Sequence, residues 1–149
     1  MASGSGSIWT AWLIRGSEVA AGLLDTSVVI DWDDRAVAAA LPDDVAVCAV
    51  TVAELAAGPH LASSGAERAN RQARLQQVEA MFEPLPFDAV AARSYGLIVA
   101  AVVEAGRSHR SRVADLLIAA TAHANSLTLY TRNPEDFAGL DNLVSVVGI

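Results

Sequence analysis

At 149 residues, with 53% hydrophobic and 18% charged residues, the chain has the length and balance of one globular domain, and disorder is excluded. A formal net charge of −7 excludes a protein that holds nucleic acid by bulk basic charge alone. All 10 basic residues are arginine, which excludes P-loop and Schiff-base chemistry because both require lysine.

In chain order, residues 1–18 read as an extension outside the fold, since a Gly/Ser run at 3–7 is linker-like and the apolar stretch at 8–14 is short. Residues 19–24 form a small apolar run ending at Asp25, Thr26 and Ser27, a buried strand followed by a turn. Short helices are predicted over 28–32 and 36–41, the second stopped by Pro42. Residues 45–50 alternate β-branched and small residues and read as a second buried strand that includes the single cysteine, Cys48. A lone thiol with no Cys/His spacing around it predicts neither a disulfide nor a zinc site, and a reducing, cytoplasmic setting is expected.

Thr51 and Glu54 match a capping box, which predicts a helix from there to Gly58. A polar-faced helix over 66–82 follows, then a short extended piece between Pro84 and Pro86. Residues 89–105 form a strongly apolar helix ended by Gly106, and 107–112 a basic loop holding Arg107, Arg110 and Arg112. A helix over 113–125, a strand over 127–130, one helical turn over 134–137 and a closing strand over 143–147 complete the chain. Strands alternating with helices predict an α/β domain with a mainly parallel sheet of four to five strands. No apolar run reaches the roughly 18 residues a membrane span requires. The helices at 89–105 and 113–125 carry more apolar surface than one small core needs, and a homodimer is expected.

Ligands gather at the carboxyl ends of parallel strands, and the predicted topology brings acidic residues there. Asp25 ends the first strand, Glu54 follows the second by four residues, and Thr131, Arg132 and Asn133 follow the strand at 127–130. Asp115 lies in a helix whose other inward residues, Ile118, Ala119 and Ala122, are apolar, so it faces the sheet and is not a cap. Carboxylates sharing a pocket repel, and a cation relieves that repulsion; oxygen donors without thiolate or imidazole favour Mg2+ or Mn2+. Such an ion suits hydrolysis of a phosphodiester. Plainer readings stand beside this one: Asp25 as a turn former or helix cap, Glu54 as the capping-box partner, Asp136 as a solvating residue of its turn. Asp31, Asp33 and Asp34 read as a solvated helix end, and His60, His109 and His123 share no spacing and receive no role.

Four segments, LLDTSVVIDW at 23–32, AVTVAELAAG at 49–58, ADLLIAA at 114–120 and YTRNPEDF at 130–137, together resemble the PIN-domain toxins of the VapC family, over about residues 20–149. The resemblance implies a PIN-like fold and a magnesium-dependent endoribonuclease that cleaves structured RNA such as tRNA or rRNA and pairs with a VapB-type antitoxin. It implies acidic positions at Asp25, Glu54, Asp115 and Asp136, with Thr26, Ser27, Thr131 and Asn133 as polar neighbours. Arg107, Arg110, Arg112 and Arg132 are the expected positive rim for RNA, with an ordinary solvated loop as the alternative for the first three. A non-catalytic PIN-like module binding RNA or protein is the competing function. An aspartyl-nucleophile phosphatase fits less well, because Ser27 stands where a second Asp is wanted.

Overall fold

The structure, a computed structural model, describes residues 21–149. The extension expected over residues 1–18 lies outside the described residues. Four parallel strands form one sheet in the order β2-β1-β3-β4: β1 Ala21–Leu24, β2 Asp44–Ala46, β3 Thr128–Thr131 and β4 Val146–Gly148. Leu23 pairs with Ala46 on one side and Leu129 on the other, so β1 is central and buried. Successive residues of a strand face opposite sides of the sheet. Accordingly Leu23 packs with Ile98, Leu116, Leu129 and Phe137, and Leu24 with Val28, Val47, Leu55 and Val78. Gly22 is required beneath Tyr130, because a Cβ there would meet the ring at 2.6 Å.

Six helices connect the strands among the described residues: α1 Thr26–Ile30, α2 Arg35–Ala39, α3 Ala49–Ala57, α4 Gly65–Met81, α5 Ala89–Glu104 and α6 Val113–Ala124. Single turns of tighter helix lie at Gly58–Leu61, Arg110–Arg112 and Pro134–Phe137. The caps explain the starts: Asp25, Asp34, Ser64 and Asp88 each accept a hydrogen bond from a backbone N–H of the helix they precede. Helix α5 stops at Gly106, whose φ of 75° is left-handed, with Arg107 N donating back to Val102 O at 3.0 Å.

Three expectations are corrected. The strand predicted over 45–50 ends at Ala46; Leu85 N donates to Val47 O and Ala49 N to Leu85 O, a single bridge that closes the pairing as the chain turns into α3. Helix α3 therefore begins at Ala49, two residues before Thr51, and the capping box does not form: Cys48 is the N-cap residue, and Thr51 is buried within the first turn. The closing strand starts at Val146 rather than 143, because Leu143 and Val144 donate to Leu140 O in a turn. Cys48 is buried, as expected, and burial pushes its thiol above the ordinary range.

Candidate active site

All four strands run the same way, so one edge of the sheet collects their carboxyl ends. Asp25 leaves β1 at that edge, 4% exposed, its backbone N–H donating to Tyr130 O at 2.9 Å. Its side chain accepts three hydrogen bonds. Oδ1 accepts from Thr26 N at 2.9 Å, and Oδ2 accepts from the hydroxyls of Ser27 and Thr131, each at 2.8 Å. Asp25 is thus both the cap of α1 and a member of the acidic group, and the two readings do not compete. Ser27 Oγ also accepts from Arg132 N at 3.0 Å, and Thr131 Oγ1 from Asn133 N at 3.0 Å. These bonds join the turn after β1 to the turn after β3.

Glu54 stands on the exposed side of α3 and accepts from Thr26 Oγ1 at 2.5 Å. The same hydroxyl lies 3.1 Å from Thr51 Oγ1, which is fully buried. Thr51 is a site residue that the sequence reading placed at a helix cap. Its signal was available only as spacing, since it sits one helical turn before Glu54.

Asp115 occupies the first turn of α6 and is half-buried, while Ile118, Ala119 and Ala122 on the same helix are fully buried. Its carboxyl is pushed up to about 6, first by loss of solvent and then by the charges of Asp25, Asp136 and Glu54, with Arg112 opposing them. That pattern places Asp115 among the other three acidic residues. Asp136, in the turn Pro134–Phe137, is ion-paired with Arg112.

The expected arginine rim divides. Arg107 donates to Glu135 O at 3.2 Å, and Arg132 lies 3.5 Å from Asp31 outside the acidic group. Arg110 is exposed on its turn. Two arginines that were not expected, Arg71 and Arg74 of α4, line a groove of about 480 Å3 with Thr26, Ile30, Glu54, Leu55, Gly58 and Asn70. Both are already bonded. Arg71 donates to Gly58 O at 2.9 Å and pairs with Glu67 at 3.0 Å; Arg74 pairs with Asp33 at 2.8 Å and lies 5.5 Å from the Trp32 ring. His123 bonds Ser94 between α6 and α5, away from the acidic group.

The donor chemistry, carboxylate and hydroxyl oxygen, fits a hard divalent cation. Among the described residues no three acidic, histidine or thiol groups converge closely enough to hold one ion as they stand. Each of three carboxylates is bonded to its own partners: Asp25 to Ser27 and Thr131, Glu54 to Thr26 and Asp136 to Arg112.

A sheet of this order with acidic residues gathered at its carboxyl edge defines a class, and comparison with known proteins agrees. The family model described as PIN domain matches residues 22–143. Ribonuclease VapC5 of Mycobacterium tuberculosis is 43% identical over 129 residues, covering 85% of this chain and 93% of that protein. The solved VapBC-5 structure, a member of the VapBC family of toxin-antitoxin systems from the same species, superposes with a TM-score of 0.74 at 43% identity, covering 87% of this chain and 98% of that one. FitAcB from Neisseria gonorrhoeae gives a TM-score of 0.70 at 34% identity, covering 85% of this chain and 96% of that one. The chain belongs to the VapC family of PIN-domain proteins.

Proposed function

We propose that the chain is a magnesium- or manganese-dependent endoribonuclease, the toxin of a type II toxin–antitoxin pair, hydrolysing phosphodiester bonds in structured RNA of the tRNA or rRNA class. The observation that carries the reading is Asp115, a half-buried carboxylate whose protonation is raised first by burial and then by the charges of Asp25, Asp136 and Glu54, which come from separate chain segments. The kinship with a protein named a ribonuclease, and with a solved toxin–antitoxin system, supports it.

Within this reading Asp25, Glu54, Asp115 and Asp136 are the residues that would hold the cation. A cation bound among them supplies positive charge against the phosphodiester and activates water for its hydrolysis. The chain's own polar residues fix the geometry beforehand. Ser27 and Thr131 orient Asp25, Thr26 orients Glu54, and Asn133 orients Thr131 through its backbone. Arg107, Arg110, Arg112 and Arg132 provide local positive charge where a −7 chain must meet a polyanion.

The partner in this reading is a VapB-type antitoxin, and a homodimer is supported by exposed Val90, Leu97 and Val103 on α5. No helix among the described residues is long and apolar enough to cross a membrane. A cytoplasmic setting rests on the single buried thiol.

Incubation with total RNA, with and without EDTA, tests the reading: cleavage should require added magnesium or manganese. The second reading, a PIN-like module that binds RNA or protein without cutting it, is favoured by the failure of any three acidic groups among the described residues to converge. It predicts RNA retention without cleavage at millimolar magnesium.

A further inference from the structure

We infer that Arg112 is a resident counter-ion that holds Asp136 until a divalent cation takes its carboxylate, and that the guanidinium so freed becomes the contact for an RNA phosphate. The inference rests on the metal-dependent reading above and assigns to one arginine a role the others cannot fill. Of the four arginines at the rim, only Arg112 is bonded to a member of the acidic group; Arg107 bonds a backbone carbonyl and Arg132 pairs with Asp31. Arg112 directly precedes α6, three residues before Asp115, and its positive charge is also felt by Asp115. One side chain thus compensates two of the four carboxylates.

The pair is built to exchange. Arg112 and Asp136 are 33% and 30% exposed, and an ion pair this open to water shifts an equilibrium by a factor of only about two to five. While Arg112 holds Asp136, that carboxylate is turned to its partner, in keeping with the absence of three converging groups. Once released, the guanidinium stays tethered at the start of α6, at the mouth of the site. Its planar fork matches two phosphate oxygens, which a point charge on lysine would not. Cation binding and phosphate recruitment would then be coupled through one residue.

Magnesium affinity, measured calorimetrically without RNA, is the readout that a merely structural role would not move. Arg112→Gln should bind magnesium about three- to fivefold more tightly than the wild type, because a competitor for Asp136 is gone. In the Asp136→Asn background the same substitution should change magnesium affinity by less than about twofold. With RNA, Arg112→Gln should raise KM roughly tenfold while kcat falls less. Arg112→Lys, which keeps the charge without the fork, should restore the magnesium affinity of the wild type and leave KM high. Equal or weaker magnesium binding by Arg112→Gln overturns the inference alone, as does a gain that survives Asp136→Asn. A wild type that binds no magnesium overturns the metal reading and this inference with it.

Discussion

The hydroxyl of Thr26 donates to Glu54 across 2.5 Å, and through that bond the first turn of α1 sets the position of a carboxylate on α3, 28 residues further along the chain. Glu54 is exposed and receives no other hydrogen bond among the described residues, so Thr26 is what orders it. Thr26→Val keeps the side-chain volume and removes the donor. Expected is a loss of about ten- to a hundredfold in RNA cleavage or magnesium affinity, with global stability changed by only about 1 kcal/mol. Thr26→Ser should recover most of the activity. Cleavage rates set beside urea unfolding midpoints check both halves; wild-type activity in Thr26→Val would remove Glu54 from the site.

Asp115→Asn should abolish RNA cleavage and leave the fold intact. Its effect on stability follows from the carboxyl's rise from 3.8 to about 6. Below about pH 4 the group is protonated whether the chain is folded or not. As pH climbs from 4 to 6 the unfolded chain ionises first while the folded chain keeps its proton, so the metal-free protein loses stability with rising pH; above 6 the loss is complete. Discounted for solvent at a half-buried site, the loss is on the order of 1 kcal/mol. The asparagine form should therefore be the more stable of the two at pH 7.5 in EDTA, and the gap should close toward pH 4. Melting curves of both proteins across that range decide it, since titrating groups distant from Asp115 cancel in the difference.

Asp115 stands out in the sequence as an acidic residue beside the apolar Ile118, Ala119 and Ala122; the structure puts it in the first turn of α6, where the helix N-terminus also favours a carboxylate. Helices α5 and α6 were legible because their apolar period is long, and Asp88 and Gly106 mark two of their ends. The start of α3 was not. Residues 45–50 carry β-branched side chains at strand spacing, and nothing local says that the chain turns after Ala46; the turn is set by Leu85, about 40 residues away, which bridges Cys48. With that turn missed, Thr51 looked like a cap and Glu54 like its partner. Pairings between distant residues, such as Arg112 with Asp136 or Thr131 with Asp25, are likewise tertiary facts with no signature in a spacing rule.

Magnesium should raise the melting temperature of the wild type, because a ligand bound only by the folded state stabilises it by mass action. At a concentration about a hundred times Kd the gain is about 2.7 kcal/mol, or roughly 5–10 °C for a domain of this size. Manganese should substitute, zinc should serve poorly, and EDTA should stop cleavage. The rise should be absent in Asp115→Asn. Full cleavage in EDTA by the wild type would show that the acidic group works without a metal.

The last expectation concerns the outer face of α5. Ile98 and Val102 of this helix are buried in the core, yet Val90, Leu97 and Val103 are 47%, 53% and 57% exposed. Val90 and Leu97, seven residues apart, share one stripe of the helix, with Val103 roughly 120° round it, and the Val90–Leu97 stripe should be covered by another chain in the working assembly. If that chain is a cognate antitoxin, expression of the protein alone should slow growth of a bacterial host. Co-expression with a cognate VapB-type antitoxin should restore growth and give one peak on size exclusion, and the Asp115→Asn form should be harmless by itself. The double substitution Val90→Glu and Leu97→Glu places charge on that stripe without touching the acidic group. It should break the co-eluting complex if the antitoxin covers α5, or halve the mass of the isolated protein if a second copy does. An assembly unchanged in mass by both charges would leave the face free, and growth unaffected by the wild type would count against the toxin role even where cleavage of RNA persists.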